Sequence, residues 1–200
     1  MKNIMKSEKE KMLSGNYYNA SDEALVRERK YAKNLTFEFN HIRPNEEEKR
    51  QQILNQLIMT KGSFHIEAPF YCDYGYNIEV GENFYANYGC MILDVNKVQI
   101  GNNVLLGPNV QIYTATHPID PRERLTGKEF AKPIVIGNNV WIGGGTIICP
   151  GVKVGDNVTI GAGSVVTKDI PHSVIAVGNP CKIIRKNYHQ SGRSTEMYNE

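Results

Sequence analysis

Residues 136–171 read IGNNVW, IGGGTI, ICPGVK, VGDNVT, IGAGSV, VTKDIP, six hexads each led by an aliphatic residue, at 136, 142, 148, 154, 160 and 166. Gly follows the leading residue in four of the six, and a small or β-branched residue fills most fifth positions. An earlier block keeps the same register at Val80-GENFY, Ile100-GNNVL and Leu106-GPNVQ. Self-similarity at a fixed short period is the signature of stacked coils. Each hexad supplies one short strand and one turn, and the aliphatic residue points inward, where the coils above and below cover it. Gly and Asn at the turns accept backbone angles that branched residues resist. No coil buries its own apolar face alone, so only the stack is stable.

Outward from this block, the chain changes character on its N-terminal side. Residues 1–62 read as a helical domain. Ser7 stands three before Glu10, the capping-box spacing, and Gly15 follows as a stop. A second helix is expected from a Ser21 cap, with Leu25, Ala32, Leu35 and Phe39 on one face. A third is expected from an Asn45 cap to Gly62, with Ile53, Leu54, Leu57 and Ile58 as its apolar stripe. Residues 63–180 form the repeat region, and 181–200 read as a tail.

The bulk numbers exclude several classes. The 200 residues carry 23 basic and 21 acidic side chains, a net charge of +2, which gives no footprint for nucleic acid or an anionic membrane. The opening MKNIMKSEKEKMLSG has no apolar core of a signal peptide, and no apolar run suits a membrane span. Cys72, Cys90, Cys149 and Cys181 show no tight ligand spacing, which predicts reduced thiols and a cytoplasmic protein.

The repeat breaks at Tyr113 and resumes after Pro133, and the break opens YTATHPIDPRER. A coil's side chains either pack inside or stand outside in rows, so a group held over a cleft needs such an insertion. Pro118 biases His117 toward an extended backbone, and Asp120-Pro121 repeats the device. His41 is expected to pack or hydrogen-bond inside the helical domain, and His65, His172 and His189 to lie at the surface. None shares the context of His117, so no zinc site is expected.

The hexads resemble the left-handed parallel β-helix of the hexapeptide-repeat acyltransferases. CDYGYNI, NFYAN, ILD, IYTATHPIDP, IGNNVWIGGG, PGVKVGDN, IGAGSVVTKDIP and VGNPCKIIRK, with KEKMLSGNYYNASDEAL and EFNH before them, resemble the maltose and galactoside O-acetyltransferases, the maltose branch being nearer. That resemblance implies a mainly β fold: a left-handed β-helix with a helical N-terminal segment and a protruding catalytic loop at 113–133. It also implies acetyl-CoA as donor, a sugar as acceptor and a homotrimer whose sites lie between one chain's β-helix and another's loop.

The same resemblance implies roles. His117 is the base, which suits a group that titrates near neutrality. Asp73, Tyr85, Asn87 and Asp94 contact the acceptor, and Asn87 also polarises the acetyl carbonyl. Asp73 stands where galactoside enzymes carry serine. An acceptor contact near Asn19 or Ala20 stays open. Trp141, Gly144, Ala162, Thr167, Lys168, Lys182 and Arg185 hold CoA, the small residues along its pantetheine arm and the cations at its phosphates. Two other readings stand beside a maltose- or glucose-type acceptor. One keeps the chemistry on an antibiotic, polysaccharide or oligosaccharide unit; the other is a trimeric scaffold that binds no CoA.

Overall fold

The computed structural model describes residues 6–187. Three helices come first: α1 (Glu8–Leu13), α2 (Glu23–His41) and α3 (Glu47–Leu57). The capping box opens α1 as expected, Glu10 N donating to Ser7 Oγ while Ser7 N donates to Glu10 Oε2. The other two caps differ from the sequence reading. Asp22, not Ser21, caps α2, its Oδ1 accepting from Ala24 N and Leu25 N, while Ser21 N donates to Asn19 Oδ1 in the turn before it. Glu46, not Asn45, takes the cap position of α3, with no side-chain cap bond. Leu25, Ala32, Leu35 and Phe39 are buried as their spacing implies.

From Met59 the chain winds as a three-sided prism of parallel strands. The first face stacks Met59–Thr60, Ile78–Val80, Val98–Ile100, Ile134–Ile136 and Lys153–Val154. The second stacks Phe64–Ile66, Phe84–Ala86, Leu105–Leu106, Trp141–Ile142, Thr159–Ile160 and Val174–Val177. The third stacks Tyr71–Cys72, Met91–Leu93, Gln111–Tyr113, Ile147–Ile148 and Val165–Val166. Inward residues fall in register. Val80, Ile100, Ile136 and Val154 form one column, and Ala86, Leu106, Ile142, Ile160 and Ala176 a second. Cys72, Ile92, Ile112, Ile148 and Val166 form the third. All are buried in one continuous core, which α2 and α3 extend at the first coil.

The other end is closed by strand Lys182–Lys186, which runs antiparallel on Val174–Val177, so the expected tail begins as part of the second face. All four cysteines are free. No helix among the described residues is long and apolar enough to cross a membrane. His41 lies at the surface rather than inside, its ring against Phe37 and its Nδ1 2.7 Å from the Phe37 carbonyl. His65 and His172 are exposed, and His189 lies outside the described residues.

Candidate active site

The third edge of the prism, where the chain passes from third face to first, carries the interruption. Ile112 on the third face and Ile134 on the first are the inward residues on either side of this edge, and Tyr113 to Pro133 intervene. The insertion is built, not loose. Ala115–Thr116 pairs antiparallel with Phe130–Ala131, and the returning strand Lys128–Ala131 also pairs with Tyr18–Asn19. Between them lies α4 (Pro121–Arg124), capped by Asp120, whose Oδ1 accepts from Arg122 N. Arg124 Nη1 reaches back to the carbonyls of Pro118 and Ile119, both at 3.2 Å, and closes the turn. Pro118 is buried, and His117 beside it is exposed.

Asp73 stands on the same edge, one coil from the helices. Burial raises its carboxyl above the ordinary range; the charges of Arg29 and Lys33 oppose that shift, and Glu129 on the loop adds to it. Arg29 is tied down, donating to Tyr74 Oη at 2.7 Å and to the Ala20 carbonyl at 2.6 Å. Glu129 accepts from the buried Tyr18 hydroxyl at 3.0 Å. Arg29 therefore ties the Ala20 segment to Tyr74, the neighbour of Asp73, while Glu129 ties the loop to Tyr18. Neither of those residues was singled out from sequence, because surface charges on a helix and a loop look alike until partners are known.

Asp94 has a different place from the one expected of an acceptor contact. It is fully buried, and its carboxylate accepts from the backbone N–H groups of Asp73, Tyr74 and Asn77. Burial pushes its carboxyl up to about 7 in spite of those bonds. It braces the corner that presents Asp73 and leaves no surface for a ligand.

The remaining candidates divide between positions. Tyr85, Leu105, Trp141, Thr159, Ile175 and Arg185 form one outward column on the second face. Trp141 is 55% exposed there. Asn87, Gly144 and Ala162 lie on the second edge, between second and third faces. Coils stack closely there: a side chain at Gly143 would stand 2.5 Å from Ala162 N, and Gly163, at φ +69°, faces open space. Thr167 and Lys168 are exposed on the third edge, with His117 and Asp73, while Lys182 and Arg185 are exposed on the closing strand. The third face separates the two edges. Its strands of two to three residues, at about 3.3 Å per residue, keep them roughly 10 Å apart.

The helical cap and the prism of hexads each match a known family. Residues 11–62 match the maltose acetyltransferase hexapeptide capping motif, and residues 133–168 match the bacterial transferase hexapeptide with six repeats. The galactoside O-acetyltransferase of Escherichia coli is 46% identical, over 88% of each chain. The chain belongs to the maltose/galactoside O-acetyltransferase family.

Solved structures of this family agree. A maltose O-acetyltransferase from Clostridium difficile 630 is 59% identical with a TM-score of 0.91, covering 92% of this chain and 99% of its own. A galactoside acetyltransferase in complex with coenzyme A is 40% identical with a TM-score of 0.90, covering 98% and 100%. The chain is thus an acetyltransferase of a sugar O-acetyltransferase family.

Proposed function

We propose that this protein transfers the acetyl group of acetyl-CoA directly to a hydroxyl of glucose, maltose or a related sugar, with His117 as general base. The observation that carries the reading is the mounting of His117: exposed, on an insertion whose two strands are completed to a sheet by Tyr18–Asn19, at the edge that also bears Asp73. His117 takes the hydroxyl proton as that oxygen attacks the thioester carbonyl. The carbonyl π pair moves onto its oxygen, where the Asn87 amide meets the developing charge. Collapse breaks the C–S bond, the electron pair leaves with sulfur, and the imidazolium returns its proton to give the CoA thiol. Asp73 and Tyr85 orient the sugar. Trp141, Gly144, Ala162, Thr167, Lys168, Lys182 and Arg185 hold the donor.

The division of these residues between two edges supports a homotrimer. Reacting atoms must come within about 3.5 Å, so the second face and second edge of one copy would meet the third edge of its neighbour. Ile119 and Leu125, 95% and 88% exposed on the insertion, are suited to cover the outward column of Leu105 and Trp141 on that neighbour. Acetyl-CoA as donor fits a cytoplasmic setting.

The test is release of CoA thiol from acetyl-CoA against a panel of sugars, with wild type and His117→Ala in parallel. Sugar-dependent release by wild type alone is expected. Release from polysaccharide or antibiotic acceptors but no simple sugar would move the acceptor class, and no acetyl-CoA-induced rise in Tm would favour a scaffold.

A further inference from the structure

We propose that residues 7–20 form a clasp that fixes the position of His117, with the Tyr17 ring as its outer fastening. This rests on the reading of His117 as the base. A hairpin of two short strands is marginally stable on its own, and a third strand makes it hold. The strands nearest His117 have two and four residues, and Tyr18–Asn19 is the third strand that completes their sheet.

Three residues, Tyr18, Tyr17 and Asn96, make further contacts between the same segments. The Tyr18 hydroxyl donates to Glu129. The Tyr17 ring meets Phe130 edge-on at 5.4 Å, and its hydroxyl donates to Glu123 at 3.2 Å. Asn96, buried on the prism's third edge, has its Nδ2 3.2–3.4 Å from the carbonyls of Met12, Leu13 and Ala131. One side chain thereby ties α1, the insertion and the coil. The contacts of Tyr17 are the ones separable from the fold, since that residue is 45% exposed and outside both apolar clusters.

Misplacing a catalytic group by about 1 Å can cost on the order of 10²-fold in rate. Tyr17 is therefore a positioning residue, acting through Phe130 and the strand that pairs with Thr116. Full-length Tyr17→Ala and Tyr17→Phe would be compared for kcat, acetyl-CoA KM, Tm and amide hydrogen exchange across 114–131. For Tyr17→Ala the expected result is a roughly tenfold lower kcat, an acetyl-CoA KM within about twofold and faster exchange in that segment alone. Tyr17→Phe, which keeps the ring against Phe130, is expected to restore both kcat and exchange. Faster exchange with an unchanged kcat would overturn the proposal, as would losses of kcat, Tm and acetyl-CoA affinity in step. Turnover retained by His117→Ala would sink the base assignment instead, while the exchange measurement still reports whether the clasp holds the insertion.

Discussion

Two edges of the same prism are built on opposite rules. At the first edge, between first and second faces, each coil repeats the last. Asn83, Asn103, Asn139 and Asn157 all sit at φ of +55° to +57°, and each Asn passes a side-chain hydrogen bond to the next. At the third edge no two turns match: a tight corner braced by Asp94, a shorter one at Asn96, the insertion, then the turns at Cys149 and Thr167. A group placed on a repeating edge recurs on every rung and is consumed by its neighbours. A group needed once can stand where the repeat fails, as the residues with proposed roles at Asp73, His117 and Lys168 do. Asp94 shows that leaving the repeat is not sufficient, because its carboxylate is spent on backbone amides.

The sharpest way to break this division is to cut each part separately. His117→Ala is expected to lower turnover by about 10²–10⁴-fold while Tm moves by no more than about a degree, since an exposed insertion side chain adds nothing to the core. Ile142→Ala, in the middle of an inward column, is expected to cost about 2–5 kcal/mol of stability in denaturant unfolding. Equal loss of stability from both would mean that the insertion is part of the core.

Asp94 offers a finer cut through pH. Its folded carboxyl stands near 7 against an ordinary 3.8. Below the ordinary value both states hold the proton and Asp94 has no effect on the pH slope. Between the two values the unfolded chain releases the proton and the folded chain keeps it, so stability falls as pH rises through that window and stays lowered above it. Asp94→Asn keeps an oxygen for the amides of Asp73 and Tyr74, both of which bind Oδ1, and loses the bond from Asn77. At fixed protein concentration, wild type is expected to lose on the order of a few kcal/mol relative to this variant between pH 4 and 7.5. Parallel stability curves would show that the corner holds an ordinary carboxylate.

Legibility in the sequence followed the same division. The inward columns could be read from single residues, because a period of six forces Ile136, Ile142 and Ile148 onto successive faces. The first helix was visible from its capping box and the other two as apolar stripes, but two caps moved by one residue: Asp22 outcompetes Ser21 for the first amides of α2, and α3 starts at Glu46 without a side-chain cap. The insertion was visible only as a gap with a His-Pro pair in it. Its third strand, Tyr18–Asn19, comes from 109 residues upstream of Lys128, and no local pattern announces a pairing of that range. Arg29 and Glu129 were missed for the same reason, and Asp94 looked functional because exposure cannot be read from an Asp in a turn.

The repeating edge itself yields the smallest and most separable effect. Asn139 sits at φ +55°, receives a bond from Asn103 Nδ2 at 3.0 Å and gives one to Asn157 Oδ1 at 3.1 Å. Asn139→Gly keeps the backbone angle and removes both rungs, each worth about 0.5–1 kcal/mol at most and less where water replaces it. Asn139→Ala removes the same rungs and costs about 1 kcal/mol more than the Gly variant, because it keeps a Cβ in the left-handed region without the local bonds that let Asn sit there. Denaturant midpoints should therefore rank wild type, then Gly, then Ala, with turnover unchanged in all three. A Gly variant less stable than the Ala variant would mean that chain entropy, rather than the left-handed angle, decides this position, and the Asn row would then be a choice of side-chain ladder alone.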